Sequence, residues 1–190
     1  MTRRQLEHVL RAAANISDSF EIMVVGSQSI LGAFPDAPAE LTLSMEAVVY
    51  PLHAPKLAEL IAGSIGEGSM FHESFGYYAQ GVDNRTAKLP TGWENRVVAV
   101  KVGEVVGYCL EPHDLAASKL AAGREKDIPF VAAMLRHGMI QGATLAQRLG
   151  DLPVDAERRE RLRLWLKAEL SRQPTRTDPG GRGQGGGSTL

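Results

Sequence analysis

Three short stretches of this chain carry residue types whose spacing could do chemistry. The first is Val24-Val25-Gly26-Ser27, an apolar run that breaks at a glycine and leads into a helical pattern. A glycine lets the backbone come close to a ligand, and the N–H groups at a helix start attract phosphate oxygens. Alone, the same four residues are also an ordinary strand-to-helix turn. The second is Glu46, two residues before Val48. Two acids at i and i+2 on a strand share one face, the geometry that holds Mg²⁺ against a triphosphate. Here the second position is valine, so Glu46 reads equally as a surface or edge residue.

The third stretch runs from Glu111 to Asp127 and is the densest in charge. Lys119 lies among small and apolar residues, where a cation is costly without an anionic partner, either a carboxylate or a phosphate. Arg124, Lys126 and Asp127 follow Gly123, placing phosphate-binding charge beside a carboxylate. The alternative is a salt-bridged helix start, with Asp114 capping one helix and Asp127 entering the next.

The elements that must position these residues follow from hydrophobic period. Leu6, Val9, Leu10 and Ala13 put a helix over Thr2 to Asn15, and Phe20 to Val25 is a buried strand. Ser27 to Phe34 reads as a helix capped by Ser27, and Leu41 to Tyr50 as a second strand stopped by Pro51. Pro55 to Ile65 is helical. From Gly66 to Trp93 the pattern is broken, with one further strand expected over Gly76 to Val82. Val97 to Val102 and Glu104 to Leu110 form a hairpin turning at Gly103. Helices then follow over Pro112 to Gly123, Glu125 to Arg136, Ala143 to Gly150 and Asp155 to Arg172. The expected organisation is an α/β (α+β) core over residues 1–110, a helical C-terminal part over 111–173 packed on it, and a disordered Gly-, Arg- and Ser-rich tail over 174–190.

At 190 residues and 44% hydrophobic composition the chain can bury one good core. A net charge of -1 gives no overall attraction to nucleic acid or anionic membrane, so such binding would need a local patch. The arginines from Arg158 onward could touch RNA, but with Leu162, Trp165, Leu166 and Leu170 inward they are more simply a solvated face. Cys109 is the single cysteine, which excludes an intramolecular disulfide. His8, His53, His72, His113 and His137 show no metal-ligand spacing. No window reaches the ~18 apolar residues of a membrane span, and the N-terminus lacks a signal-peptide pattern, so a cytoplasmic protein is expected.

Taken in order, Gly26-Ser27 after a strand, Ser44-Met45-Glu46, and Asp114-Leu115 through Lys119 to Arg124-Glu125-Lys126-Asp127 resemble the nucleotidyltransferase-like proteins of the AbiEii and MenT toxin type and their uncharacterised bacterial relatives. The likeness covers roughly residues 20 to 137, and the stretch ending in Arg124 to Asp127 is its most specific part. It implies a mixed sheet with flanking helices, and transfer of a nucleoside monophosphate from an NTP to an RNA or protein acceptor. An antitoxin protein is the implied partner.

By the same resemblance Gly26 and Ser27 hold nucleotide phosphate and Glu46 binds Mg²⁺. Lys119 contacts phosphate, beside the nucleotide-binding charge that spacing gives to Arg124 and Lys126, and Asp127 joins the metal or acts as a base. The family places Asp where this chain has Val48. Three explanations stay open: a degenerate, inactive relative; an inactivating substitution in a toxic protein; or a metal site completed by another acid, Asp83 or Glu94. A non-catalytic module that binds a nucleotide or a partner is the rival reading.

Overall fold

A computed structural model of the chain describes residues 1–83 and 85–172. The expected tail over 174–190 lies outside the described residues. The order is α1 (Arg3–Ser17), β1 (Glu21–Val24), α2 (Ile30–Ala33), β2 (Glu46–Pro51), α3 (Ala58–Ile65), α4 (Met70–Phe75), β3 (Tyr78–Gly81), β4 (Val98–Val102), β5 (Val105–Cys109), then α5 (Pro112–Ala122), α6 (Asp127–Arg136), α7 (Gly142–Gly150) and α8 (Ala156–Arg172). The fold is α+β, as expected, with a five-stranded mixed sheet in the order β3-β2-β1-β5-β4. The central β1 runs parallel to β5 and antiparallel to β2, so the chain leaves β1 and β5 at the same end of the sheet.

One face of the sheet is sealed and the other is half open. Ala47, Val49, Ala79, Val100, Gly107 and Cys109 are buried, while the alternate residues Glu46, Val48, Tyr78, Gln80, Val106 and Tyr108 keep partial exposure. This two-residue period follows from the pleat. α1 covers the sealed face. A Cβ at Gly107 would sit 2.5 Å from Leu10 Cδ1, so the helix approaches β5 only because no side chain stands there. Burial in this layer also pushes the Cys109 thiol up to about 12, leaving it inert as a nucleophile at neutral pH.

Three local expectations are corrected. Residues 27–33 form a 3₁₀ turn and a single helical turn rather than one helix capped by Ser27, and Gly26 stands at its start with no side-chain cap. Ser29 Oγ donates to the Val24 carbonyl instead. The broken stretch after Gly66 contains α4, capped by Ser69, which accepts from the His72 N–H at 3.2 Å. The cap of α5 is Glu111, accepting from the N–H groups of His113 and Asp114, and not Asp114.

Asp114 is fully buried and has another task. Its Oδ2 accepts from Arg96 Nε at 2.8 Å and its Oδ1 from Arg96 Nη2 at 3.0 Å, with Arg148 Nε 3.1 Å from Oδ1. One carboxylate thus ties the loop before β4, α5 and α7 together. Among the described residues no helix is long and apolar enough to cross a membrane.

Removing one member of a buried ion group leaves the others uncompensated, at a cost of roughly 3–5 kcal/mol. Asp114→Ala is therefore expected to lower Tm by roughly 10 °C, read by thermal unfolding. A shift smaller than that of an exposed control such as Asp36→Ala would show the group to be dispensable.

Candidate functional site

Of the residues singled out by type and spacing, Gly26, Ser27, Lys119, Arg124, Lys126 and Asp127 come together where β1 and β5 end, and Glu46 does not. β1 continues through Val25 to Gly26, and β5 turns through Leu110 into α5, which carries Lys119 in its last turn. Ligands in open α/β sheets favour this end, outside the strands' carboxyl termini. A cavity of about 420 Å³ opens here, lined by Gly26, Lys119, Arg124 and Asp127 together with Thr86, Lys88, Ser118 and Arg158. A second cavity of about 330 Å³ adjoins it across Lys119, and its walls include Ser27, Ser44, Lys126, Leu43 and Phe130.

Lys119 and Asp127 form the centre of the arrangement. The Lys119 ammonium donates to Asp127 Oδ1 at 3.0 Å, and both side chains are almost wholly buried. Asp127 Oδ2 accepts from the Arg124 N–H at 3.2 Å, closing the turn between α5 and α6. Gly123 makes that turn possible with φ +65°, a left-handed conformation that side chains resist. Burial pulls the Lys119 ammonium below the usual lysine range, opposed by its bond to Asp127. Nζ also stands 4.6 Å from the centre of the Phe130 ring, so the lysine lies between a carboxylate and an aromatic face.

The remaining charge in the first cavity is cationic. Lys88, Lys119, Arg124 and Arg158 line it, and Asp127 is the one acid among the lining residues. Since Asp127 neutralises Lys119, three cations face the space without a carboxylate partner among the described residues. Arg158 Nη2 donates to the Ala121 carbonyl at 2.6 Å, closing the end of α5, while its Nε is buried with no acceptor. Such an array suits an anion with several oxygens.

Glu46 stands apart from both cavities. It begins β2 on the half-open face, paired in register with Tyr78 of β3. By the two-residue period its same-face neighbour in β2 is Val48, and the preceding Ser44, outside the strand, turns its hydroxyl to the Glu46 backbone, so neither offers a carboxylate. Val48 fills the space under the turn: a Cβ at Gly26 would lie 2.6 Å from Val48 Cγ2. Asp83 is held by Arg85, with Nε 3.0 Å from Oδ1, and Glu94 is an exposed residue of the 3₁₀ turn before β4. Among the described residues no three His, Cys, Asp or Glu side chains come together to hold a metal. The donor set therefore does not fit a Mg²⁺ pair, which needs convergent carboxylate oxygens.

Sequence spacing did not reveal Lys88 or Arg158. Lys88 lies in a stretch without period, brought to the cavity by the fold of the loop between β3 and β4. Arg158 belongs to an arginine-rich helix whose pattern reads as a solvated face, and nothing in that pattern separates it from Arg161 or Arg163.

A protein-family model described as a nucleotidyltransferase of unknown function (DUF6036) matches residues 4–165. That span includes all of the lining residues named above. No curated protein and no solved structure matches the chain.

The Lys119–Asp127 pair gives a direct test of its energetic coupling. Lys119→Met alone leaves a buried carboxylate without its cation and should destabilise by roughly 3–5 kcal/mol. The double variant Lys119→Met with Asp127→Leu should recover at least half of that loss in denaturant unfolding. A double variant as unstable as the sum of the singles would show that the two residues act independently.

Proposed function

We propose, from the premise that this chain belongs to the nucleotidyltransferase family of unknown function, that it binds a nucleoside triphosphate, with the phosphates in the cationic cavity and the base in the adjoining apolar one. The observation that carries this reading is the imbalance of four cations against one already neutralised carboxylate. Lys88, Arg124 and Arg158 would each donate to phosphate oxygens, and Lys119 would share its ammonium between Asp127 and the ligand. The second cavity supplies a wall for a planar ring in Phe130, with Ser27 and Ser44 as polar groups beside it. Stacking of a base on an aromatic side chain is worth about 1–3 kcal/mol.

Calorimetric titration with the four common NTPs and with inorganic triphosphate tests this. An NTP should bind about tenfold or more tightly than triphosphate, and Phe130→Ala should weaken NTP binding more than triphosphate binding, which the ring touches only through the Lys119 ammonium over it. Arg124→Ala and Lys88→Ala, both at exposed positions, should each weaken all of these ligands by about tenfold, the loss of one charge-assisted hydrogen bond. No binding of any ligand would end the reading.

Family membership supports a second reading, a nucleotidyltransferase, to which the resemblance of the Gly26-Ser27 and Lys119 to Asp127 stretches adds the AbiEii/MenT toxin type and an antitoxin partner. In it an acceptor oxygen of an RNA or protein attacks the α-phosphorus, the bond to the bridging oxygen breaks, pyrophosphate leaves, and a base such as Asp127 takes the acceptor's proton. The first reading expects no labelled acceptor when the unaltered chain is incubated with α-³²P-NTP and cellular RNA or protein. Labelling by that chain, or its gain in Val48→Asp or Ser44→Asp with Mg²⁺, would favour the transferase.

A further inference from the structure

We infer that the phosphate site of this chain takes its anion without a divalent cation, the protein's own cations standing where a metal would otherwise neutralise the ligand. The inference rests on the proposed reading of the cavity as a phosphate site and adds the form of ligand it accepts: a metal-free diphosphate or triphosphate.

Two independent features of the site lead there. The first is the carboxylate side. Mg²⁺ is held by convergent carboxylate and phosphate oxygens, and here Glu46 lies outside both cavities. Val48 is its same-face neighbour in β2, and Asp127 is committed to Lys119 and to the Arg124 N–H. The Val48 side chain also packs against Gly26, the backbone that a bound metal–phosphate unit would approach.

The second is the cation side. Lys88, Arg124 and Arg158 come from three separate parts of the chain, the loop between β3 and β4, the turn between α5 and α6, and the first turn of α8. They converge on one space with no carboxylate partner among the described residues. Arg158 Nη2 is anchored on the Ala121 carbonyl at 2.6 Å, which holds this guanidinium at the wall of the cavity. A triphosphate already carrying Mg²⁺ would bring less negative charge to this array, and its metal would meet no protein ligand. The free anion is the better match.

Inorganic triphosphate is the probe, titrated calorimetrically into the full chain with excess EDTA and again with excess MgCl₂. The expected result is a Kd in EDTA equal to or several-fold tighter than in Mg²⁺, with Arg124→Ala and Lys88→Ala weakening the EDTA measurement by about tenfold each. Binding that appears only with Mg²⁺ overturns the inference and leaves the phosphate site itself standing. Absence of binding in both buffers overturns the inference and the reading beneath it together. Equal affinity of wild type and both variants in EDTA would place the anion elsewhere on the surface and likewise overturn it.

Discussion

The fold hangs on the buried carboxylate of Asp114. It accepts both arms of Arg96 and lies 3.1 Å from Arg148, so the loop preceding β4, the helix α5 and the helix α7 share one fixed point. An isolated carboxylate at full burial would be strongly unfavourable, and two guanidinium groups make the position tenable only in this arrangement. Two consequences reach the cavity. α5 is fixed at its first turn, and its last turn then delivers Lys119 and Gly123 in register with Asp127. The loop held by Arg96, which also donates to the Thr91 carbonyl at 3.2 Å, is the one that carries Lys88 to the same space.

Much of this was legible from the residues. The period of Leu6, Val9, Leu10 and Ala13 gave α1, and the hairpin turning at Gly103 and the four late helices lie where their patterns put them. The argument that Lys119 needs an anionic partner holds, and the partner is Asp127, eight residues on across one turn. Local sequence was enough there because both residues belong to adjacent helices. What escaped depends on long-range placement. Arg158 shares its helix with several arginines of identical local character, and only the packing of α8 beside Gly123 sets it apart, with Nη2 3.0 Å from where a Cβ of that glycine would be. Asp114 was read as a helix cap because acids favour that position, yet the preceding Glu111 takes the cap and frees Asp114 for the arginines.

The open face of the sheet shows what Glu46 offers a metal and what it lacks. A strand presents side chains at every second residue to one side, so Glu46 and Val48 stand in a single row. One acid in that row is an ordinary occupant of a half-exposed surface. A metal site needs oxygens that converge, and convergence would require the row to carry a second acid or the opposite wall to supply one. Asp127, on that wall, is already bonded to Lys119 and to the Arg124 backbone.

Charge balance then separates two ways of building a phosphate site. In one, acids gather a divalent ion and the ion neutralises the phosphates, so the protein side of the site is negative when empty. In the other, the protein side is positive and needs no mediator. The two can be combined, since phosphoryl-transfer sites set Lys or Arg beside a carboxylate-held Mg²⁺; what distinguishes this cavity is that its lining offers the cations and no carboxylate free of a partner. On the proposed reading, Lys88, Arg124 and Arg158, set against the single neutralised Asp127, would put this cavity in the second class. The valine under Gly26 belongs to the same design. Its methyl groups pack under Gly26 and bring no charge to the turn.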